Sequence, residues 1–133
     1  MDTAENKKLI QDVFEQMARG NTRAMAEAMH ENCSWHFPGN WSWSGSWKSK
    51  DVVLEHLLRP LMAQFSTYRS TAELVLAEGD RVVVRARGSG TTTRGDAYPQ
   101  TYCYIFRIGD GKITEVIEYC DTALVERVLV RPA

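Results

Sequence analysis

The stretch "YIFRIGDGKITEVIEYC", residues 104–120, decides the fold. On both sides of Gly109-Asp110-Gly111 the apolar residues recur with a period of two, and glycine accepts the positive φ angles of a tight turn. This arrangement predicts two long antiparallel strands joined as a hairpin.

The same two-residue period extends back to residue 66, through two further turns that contain glycine. Each turn separates runs rich in β-branched and aromatic residues, as expected of a meander of antiparallel strands. Four strands are therefore predicted, at residues 66–78, 81–93, 97–108 and 112–121.

The N-terminal part of the chain has a helical period instead. Apolar residues recur at helical spacing over residues 9–17, and Thr3 is positioned to cap this first helix. Gly20 is expected to end it. A shorter second helix carries Met25 and Met29.

A third helix is predicted from its cap at Ser49 to Phe65. Pro60 lacks a backbone N–H, so we expect a kink or a break near Arg59. With a short strand before this helix and the meander after it, the order of elements predicts one α+β domain over residues 1–133. Its helices would cover one face of a curved sheet.

Composition excludes several classes of function. The chain is 44% hydrophobic and 25% charged with a net charge of −1, and it has no basic stripe for nucleic acid. No apolar run is long enough to span a membrane, and the charged N-terminus does not resemble a signal peptide. Three cysteines in irregular spacing indicate reduced thiols, so we expect a cytoplasmic protein.

Three segments together resemble a known family: "ARGNTRAMAEAMHENCSWHFPG" (18–39), "LAEGDRVVVRARGSG" (76–90) and "YIFRIGDGKITEVIEYCDT" (104–122). The chain resembles the NTF2-like superfamily and, within it, the SnoaL-like proteins related to polyketide cyclases, limonene-epoxide hydrolase and ketosteroid isomerase. The resemblance implies an NTF2-like cone, in which three N-terminal helices pack on a strongly curved, mostly antiparallel sheet and enclose an apolar pocket. It also implies a homodimer formed through the sheets, a small hydrophobic ligand and no cofactor.

Two residues are candidates for catalysis on this resemblance. In limonene-epoxide hydrolase relatives, the position of Glu118 holds a carboxylate that activates water, and the position of His36 holds a side chain that helps to bind that water. Glu118 would then be a general base and His36 its partner or an acid, both in an apolar pocket. The alternative is a polar pair that lines a pocket without chemistry.

The chain also departs from the patterns of these relatives. Epoxide hydrolysis needs an Arg and an Asp two residues apart, whereas the second long strand has Arg85, Arg87 and then Ser89. The isomerase pattern needs an Asp where Phe37 stands and a Tyr where Val13 stands. It also needs an acid on the third long strand, which has none.

Several other side chains are predicted to line the pocket. Tyr102 and Tyr104 share one strand face, and their hydroxyls would be donors if that face is concave; the alternative is ordinary packing of strand aromatics. Arg85 either points inward toward Glu118 or lies on the solvated or dimer-facing side. Val116 and Met62 complete the predicted ligand contacts.

All four tryptophans lie within residues 35–47. Trp35 alternates with other apolar residues, so it is interpreted as packing. Trp41, Trp43 and Trp47 lie in a loop rich in Gly, Ser and Asn. In this fold the loop would cross the pocket mouth, where the three rings would bind a flat or hydrophobic ligand. Alternatively they only clamp the loop onto the body of the protein or onto a dimer partner.

Two further motifs leave alternatives open or point to no function. Asp121 is either a base in the pocket or the cap of the following turn with Thr122. His30, Cys33 and His36 have the spacing of metal ligands, but they cross from a helix into a strand, so no metal site is predicted.

Three functions remain compatible with the sequence. The first is a cofactor-free enzyme of the isomerase, cyclase, dehydratase or hydrolase type, acting on an apolar or polycyclic substrate by acid/base chemistry. The second is a non-catalytic binder with the same pocket. The third is a dimeric docking module that uses the tryptophan loop.

Overall fold

The structure, a computed structural model, describes residues 2–132. It confirms the α+β class: short and long helices pack against one sheet of six strands. In chain order the elements are α1 (Thr3–Ala18), α2 (Ala24–Glu27), β1 (Met29–Phe37), β2 (Gly45–Lys48), α3 (Lys50–Val53) continued by a π-helical turn (Leu54–Leu58), α4 (Arg59–Met62), β3 (Phe65–Glu78), β4 (Arg81–Thr92), β5 (Ala97–Gly109), β6 (Lys112–Cys120) and α5 (Thr122–Val128).

The sheet has the order β2-β1-β6-β5-β4-β3 and is curved but not closed. All neighbouring strands are antiparallel except β1 and β6, which are parallel. The four long strands agree with the predicted ranges to within one residue at each end. The hairpin of residues 104–120 pairs Tyr104 with Glu118, so the opening stretch folds as its alternation predicts.

Helix α1 packs on the concave face of the sheet through its apolar stripe, of which Ile10 and Phe14 are fully buried. Its cap is Asp2 and not Thr3, because the Asp2 carboxylate accepts the Glu5 N–H at 2.8 Å. The second helix is shorter than predicted, and Met29 already belongs to β1.

The third predicted helix is interrupted before Pro60, as expected. Ser49 caps it, and the interruption is a π-helical turn in which the Arg59 N–H donates to the carbonyl of Leu54, five residues earlier. Pro60 has no N–H to continue the α-helical pattern, so the wider turn satisfies the preceding carbonyl groups instead. The helix ends at Met62, and Phe65 begins β3.

Two elements were not predicted. Strand β2 forms in the Ser-rich tryptophan loop because its backbone pairs with β1, with Trp47 opposite Trp35. Helix α5 follows the last strand, and the Asp121 carboxylate caps it by accepting the Leu124 N–H at 3.2 Å. No helix within residues 2–132 is long and apolar enough to cross a membrane.

Candidate functional site

A pocket opens between the concave face of the sheet and the helices. Its cavity volume is about 70 Å³, below the roughly 300–1,000 Å³ of typical sites for drug-sized ligands. Nine of its eighteen lining side chains are aromatic, and one is charged. The lining comprises Met17, Thr22, Met25, Trp35, Phe37, Trp41, Trp43, Leu58, Leu61, Met62, Phe65, Tyr68, Tyr98, Tyr102, Tyr104, Glu118, Val125 and Leu129.

Glu118 is the charged residue of the lining. Strand β6 places it on the concave face, directly opposite Tyr104 of β5, and its side chain is 8% exposed. Burial among apolar side chains disfavours the ionised form and raises the pKa of Glu118 from 4.5 to about 8. The Trp35 indole N–H and the Cys120 thiol oppose this effect in part, since both favour the ionised carboxylate.

The Trp35 indole N–H is a buried hydrogen-bond donor in the pocket wall. Trp35 is 3% exposed, and its Nε1–H has no acceptor within hydrogen-bonding geometry. The N–H is close enough to influence the Glu118 carboxyl but does not form a well-aligned bond with it. A buried donor without a well-aligned partner costs free energy, and this donor lies beside the Glu118 carboxyl group.

Four tyrosines line the pocket, and the hydroxyls of three of them, Tyr68, Tyr98 and Tyr102, form hydrogen bonds within the protein. The hydroxyls of Tyr68 and Tyr102 are 2.5 Å apart, and the Tyr98 hydroxyl accepts from Gln100 Nε2 at 2.9 Å. Burial raises the pKa of each of these tyrosines well above its usual value, so all three stay protonated over the physiological range. They can donate to a ligand oxygen or accept from a ligand donor.

Two glycines of β4 make room for the tyrosine pair. A Cβ atom at Gly88 would lie 2.8 Å from Tyr102 Cε2 and 3.1 Å from the Tyr68 hydroxyl, and one at Gly90 would lie 3.2 Å from Tyr68 Cδ1. Glycine at alternate positions inside a strand marks a place where other side chains approach the backbone closely. The two glycines were the signal in the sequence that could have indicated a large side chain packed on β4. Sequence reasoning did not use it and missed Tyr68.

The tryptophan loop forms one wall of the pocket. The rings of Trp41 and Trp43 are parallel, with centroids 6.3 Å apart, and Trp41 Nε1 donates to the Pro38 carbonyl at 3.0 Å. Between them, the Ser42 N–H and hydroxyl both donate to the Glu126 carboxylate of α5. The loop is therefore fastened to the C-terminal helix, which also contributes to the pocket.

His36 lies outside the pocket, so the structure does not bring it to Glu118. It alternates with Trp35 and Phe37 along β1, and only these two face the concave side. His36 Nδ1 lies 2.7 Å from the hydroxyl of Ser46 on β2. The predicted pair is separated because side chains one residue apart on a strand point to opposite faces.

Three predicted ligand contacts also lie elsewhere. Arg85 is exposed on the outer face of the sheet, the face away from the helices, with its Nε 3.9 Å from a Glu73 oxygen. Trp47 packs edge-on against Phe37 at 5.6 Å and does not line the cavity. Val116 is fully buried in the core and does not line the cavity.

The other predicted residues do come together, in the lining given above: Glu118, Tyr102, Tyr104, Trp41, Trp43 and Met62. Sequence reasoning missed six polar or aromatic members of the lining: Thr22, Trp35, Phe37, Phe65, Tyr68 and Tyr98. Trp35 was interpreted as packing because alternation cannot distinguish a core position from a pocket wall on the same strand face.

The chemistry available in the pocket is proton transfer and hydrogen bonding. A carboxyl group with a pKa of about 8 can donate or accept a proton near neutral pH. Within residues 2–132, no group of three or more His, Cys, Asp or Glu side chains is arranged to hold a metal ion.

Solved structures similar to this one share its fold over almost the whole chain. Bal32a from a soil-derived mobile gene cassette is 19% identical with a TM-score of 0.79, covering 96% of this chain and 98% of its own. A putative SnoaL-like polyketide cyclase from Jannaschia sp. CCS1 is 20% identical with a TM-score of 0.77, covering 98% and 95%. TerC co-crystallised with polyporic acid is 21% identical with a TM-score of 0.73, covering 93% and 97%.

No curated protein is significantly similar to the chain in sequence. The SnoaL-like domain model, however, matches residues 10–116, from the first helix to the middle of β6. The match includes the tryptophan loop, the glycine pair of β4 and the tyrosines of β5. The chain therefore belongs to the SnoaL-like domain family, and its fold is NTF2-like.

Proposed function

We propose that this protein binds a small, largely apolar molecule in the Glu118 pocket and transfers a proton on it with its own side chains. The observation that carries the proposal is the Glu118 carboxyl, buried among aromatic rings with a pKa raised to about 8. Enzymes commonly adjust a carboxyl in this way so that it exchanges protons near neutral pH. Isomerisation, cyclisation, dehydration and hydrolysis all use such a step.

The tyrosines support a role in orienting the substrate. The Tyr68–Tyr102 pair shares one hydrogen bond, so one of its two O–H groups remains free to donate to an oxygen of a bound molecule. Inside an apolar cavity such a donor stabilises developing negative charge more effectively than it would in water. Glu118 would then move the proton while the free hydroxyl of the pair holds the oxygen.

Pocket size and the similar structures bear on the substrate. The cavity of about 70 Å³ is small as it stands, so a ring-containing substrate requires the Trp41–Trp43 wall to move outward. TerC, with the same fold, was crystallised with polyporic acid, and the Jannaschia protein is described as a putative SnoaL-like polyketide cyclase. These relatives favour a ring-containing substrate.

A non-catalytic binder is the second candidate, favoured by the position of His36. Because His36 lies on the other face of β1, Glu118 is the one lining residue among residues 2–132 that titrates near neutral pH. Binding alone requires no second proton-transferring group.

The test is to titrate the protein with a panel of steroids, terpenes and aromatic polyketides while following tryptophan fluorescence and product formation. Wild type should show saturable quenching, and Glu118→Gln should keep the quenching but lose turnover by about 10²- to 10⁴-fold. The matched control is Glu73→Gln, which changes a carboxylate on the outer face. Quenching without turnover in wild type would favour the non-catalytic binder. No quenching at all would contradict both candidate functions.

We also propose that the outer face of the sheet forms the predicted homodimer. Leu76, Val83, Ile105 and Ile117 follow one another across β3, β4, β5 and β6 in register, and Leu76 is 55% exposed. A continuous apolar row on an exposed sheet face is typical of an interface. Light scattering should give the mass of a dimer for wild type and of a monomer for Leu76→Glu. A monomeric wild type would refute this interface.

A further inference from the structure

The charge balance of the pocket points to a particular class of ligand. We infer that the ligand carries a positively charged nitrogen, which lies among the aromatic rings and against the carboxylate of Glu118. The inference rests on the proposed function only in using the same pocket as a ligand site. It narrows the substrate from an apolar molecule to an organic cation such as a substituted or quaternary amine.

The first argument is the aromatic lining. Nine of the eighteen lining side chains are Trp, Tyr or Phe, including the parallel pair Trp41 and Trp43 and the stacked pair Tyr102 and Tyr104. Aromatic rings carry negative charge density on their faces and attract cations, most strongly where water is excluded. A cavity with so many rings favours positive over negative charge in its ligand.

The second argument is the isolation of Glu118. Of the residues the structure describes, no Lys, Arg or His lines the cavity to neutralise it. The titratable groups that influence or are influenced by this carboxyl are Tyr68, Tyr98, Tyr102, Tyr104 and Cys120. Burial raises the pKa of every one of them above its usual value, so all remain neutral near pH 7. An ionised Glu118 therefore lacks a counter-charge, which a ligand cation would supply.

The third argument is the unpaired Trp35 N–H. This donor is buried beside Glu118 and has no acceptor in hydrogen-bonding geometry. A carboxylate is a stronger acceptor than a neutral carboxyl group, so the Trp35 N–H favours the ionised form of Glu118. The pocket thus already holds a hydrogen-bond donor for the ionised form and lacks only the cation.

Two probes of the same shape test this inference. Phenyltrimethylammonium carries a permanent positive charge, and tert-butylbenzene is its neutral carbon analogue. Both are larger than the cavity as it stands, so both require the same outward movement of the Trp41–Trp43 wall as the proposed ring-containing substrate. Their binding can be followed by tryptophan fluorescence, because Trp35, Trp41 and Trp43 line the cavity. At pH 9 we expect the cation to bind about tenfold more tightly than the hydrocarbon.

The pH dependence gives a second readout. Below pH 8 the cation must displace a proton from Glu118, so its affinity should rise from pH 6 to pH 9 and then level off. Neither probe titrates in this range, and the affinity of tert-butylbenzene should stay constant. Calorimetry in two buffers of different ionisation enthalpy should detect the released proton at pH 7.

Two variants test whether the Glu118 charge causes the preference for the cation. Glu118→Gln should remove the pH dependence and reduce the preference for the cation to a few-fold, the part that the rings supply. Glu73→Gln removes a carboxylate from the outer face of the sheet, so it should keep both the preference and the pH dependence. If Glu118→Gln does not fold, the pH dependence of cation affinity in wild type still tests the inference.

Three results would overturn the inference, and they separate it from the proposed function. Equal binding of the two probes at pH 9, or tighter binding of benzoate than of either, would refute the cation while leaving the pocket as a ligand site. Failure of all three compounds to quench the fluorescence would remove the ligand site itself.

Discussion

Glu118 and Glu73 are carboxylates of the same sheet with opposite surroundings. Glu118 faces the pocket and is 8% exposed, with no charged group beside it in the lining. Glu73 lies on the outer face, where its oxygens are 3.3 Å from Arg87 Nε and 3.9 Å from Arg85 Nε and its side chain is 37% exposed. The comparison teaches that the proton affinity of the Glu118 carboxyl is raised by desolvation without a compensating charge and not by the residue type.

The contrast extends to whole rows of the sheet. Ala86, Tyr102 and Cys120 are neighbours in register on the inner face, and the next row, Arg85, Cys103 and Tyr119, lies on the outer face. A shift of one residue therefore moves a side chain from the pocket to the surface. Each of the following predictions tests one side of this contrast against the other.

The largest expected effect is on the pH dependence of folding. Glu118 has a pKa of about 8 in the folded protein and about 4.5 when unfolded, so the folded state binds the proton more tightly. Its contribution to the free energy of unfolding is therefore greatest below pH 4.5, falls as the pH rises to 8 and is constant above that. As the pH rises from 4.5 to 8, the free energy of unfolding of Glu118→Gln should therefore increase relative to that of wild type by on the order of 3 to 5 kcal/mol.

Urea unfolding at several pH values measures this difference. Glu73→Gln is the control for removal of a carboxylate from the outer face of the sheet. Parallel curves for wild type and Glu118→Gln would mean that the Glu118 carboxyl is solvated in the folded protein.

The next largest effect is expected for Gly88→Ala on the inner face. The added Cβ would lie 2.8 Å from Tyr102 Cε2, so the Tyr68–Tyr102 pair must move. Overpacking of this kind costs about 1–3 kcal/mol, whereas Ser89→Ala, one residue along on the outer face, should change stability by less than about 0.5 kcal/mol. Equal denaturation midpoints for the two variants would contradict the close packing at Gly88.

A smaller effect is expected for the tyrosine pair itself. Tyr68→Phe leaves the Tyr102 hydroxyl buried without its partner, which should cost about 1–2 kcal/mol. Tyr102→Phe likewise leaves the Tyr68 hydroxyl without its partner. The double variant should lose less unfolding free energy than the sum of the two single losses. A double-mutant cycle of unfolding free energies measures this coupling; additive losses would show that the two hydroxyls do not depend on each other.

The smallest effect is expected for the charges of the outer face. The Arg87–Glu73 pair is exposed, so Arg87→Ala should change the free energy of unfolding by no more than about 0.5–1 kcal/mol. The loss should shrink further in 1 M salt, where charges are screened over about 3 Å. A loss that persists in high salt would indicate packing of the Arg87 stem instead of an ion pair.

The strands were predictable because their signals are local. Alternation of apolar residues and glycine turns place β3 to β6 to within one residue, and Ser49 marks the start of the third helix. Helix α5 and strand β2 were not predictable in the same way. The first is short, and the second has the sequence Gly-Ser-Trp-Lys, which forms a strand because β1 supplies a pairing edge.

The candidate site was predictable in part. Tyr102, Tyr104 and Glu118 share a face because they pair in register, which the hairpin turn specifies. Alternation sorts each strand into two sets but does not state which set faces the helices. That is why His36 and Arg85 were assigned to a pocket that lies on the other side of their strands.

By itself, the sequence determined the class of fold, the four long strands and the family resemblance, since each depends on neighbours along the chain. Only the tertiary structure decided which face is concave, and it thereby decided that Glu118 is desolvated while Glu73 is paired with arginines. It also brought Tyr68 to Tyr102 across two glycines and Trp35 to Glu118. Curvature and packing of the whole sheet set these distances, so no local pattern encodes them.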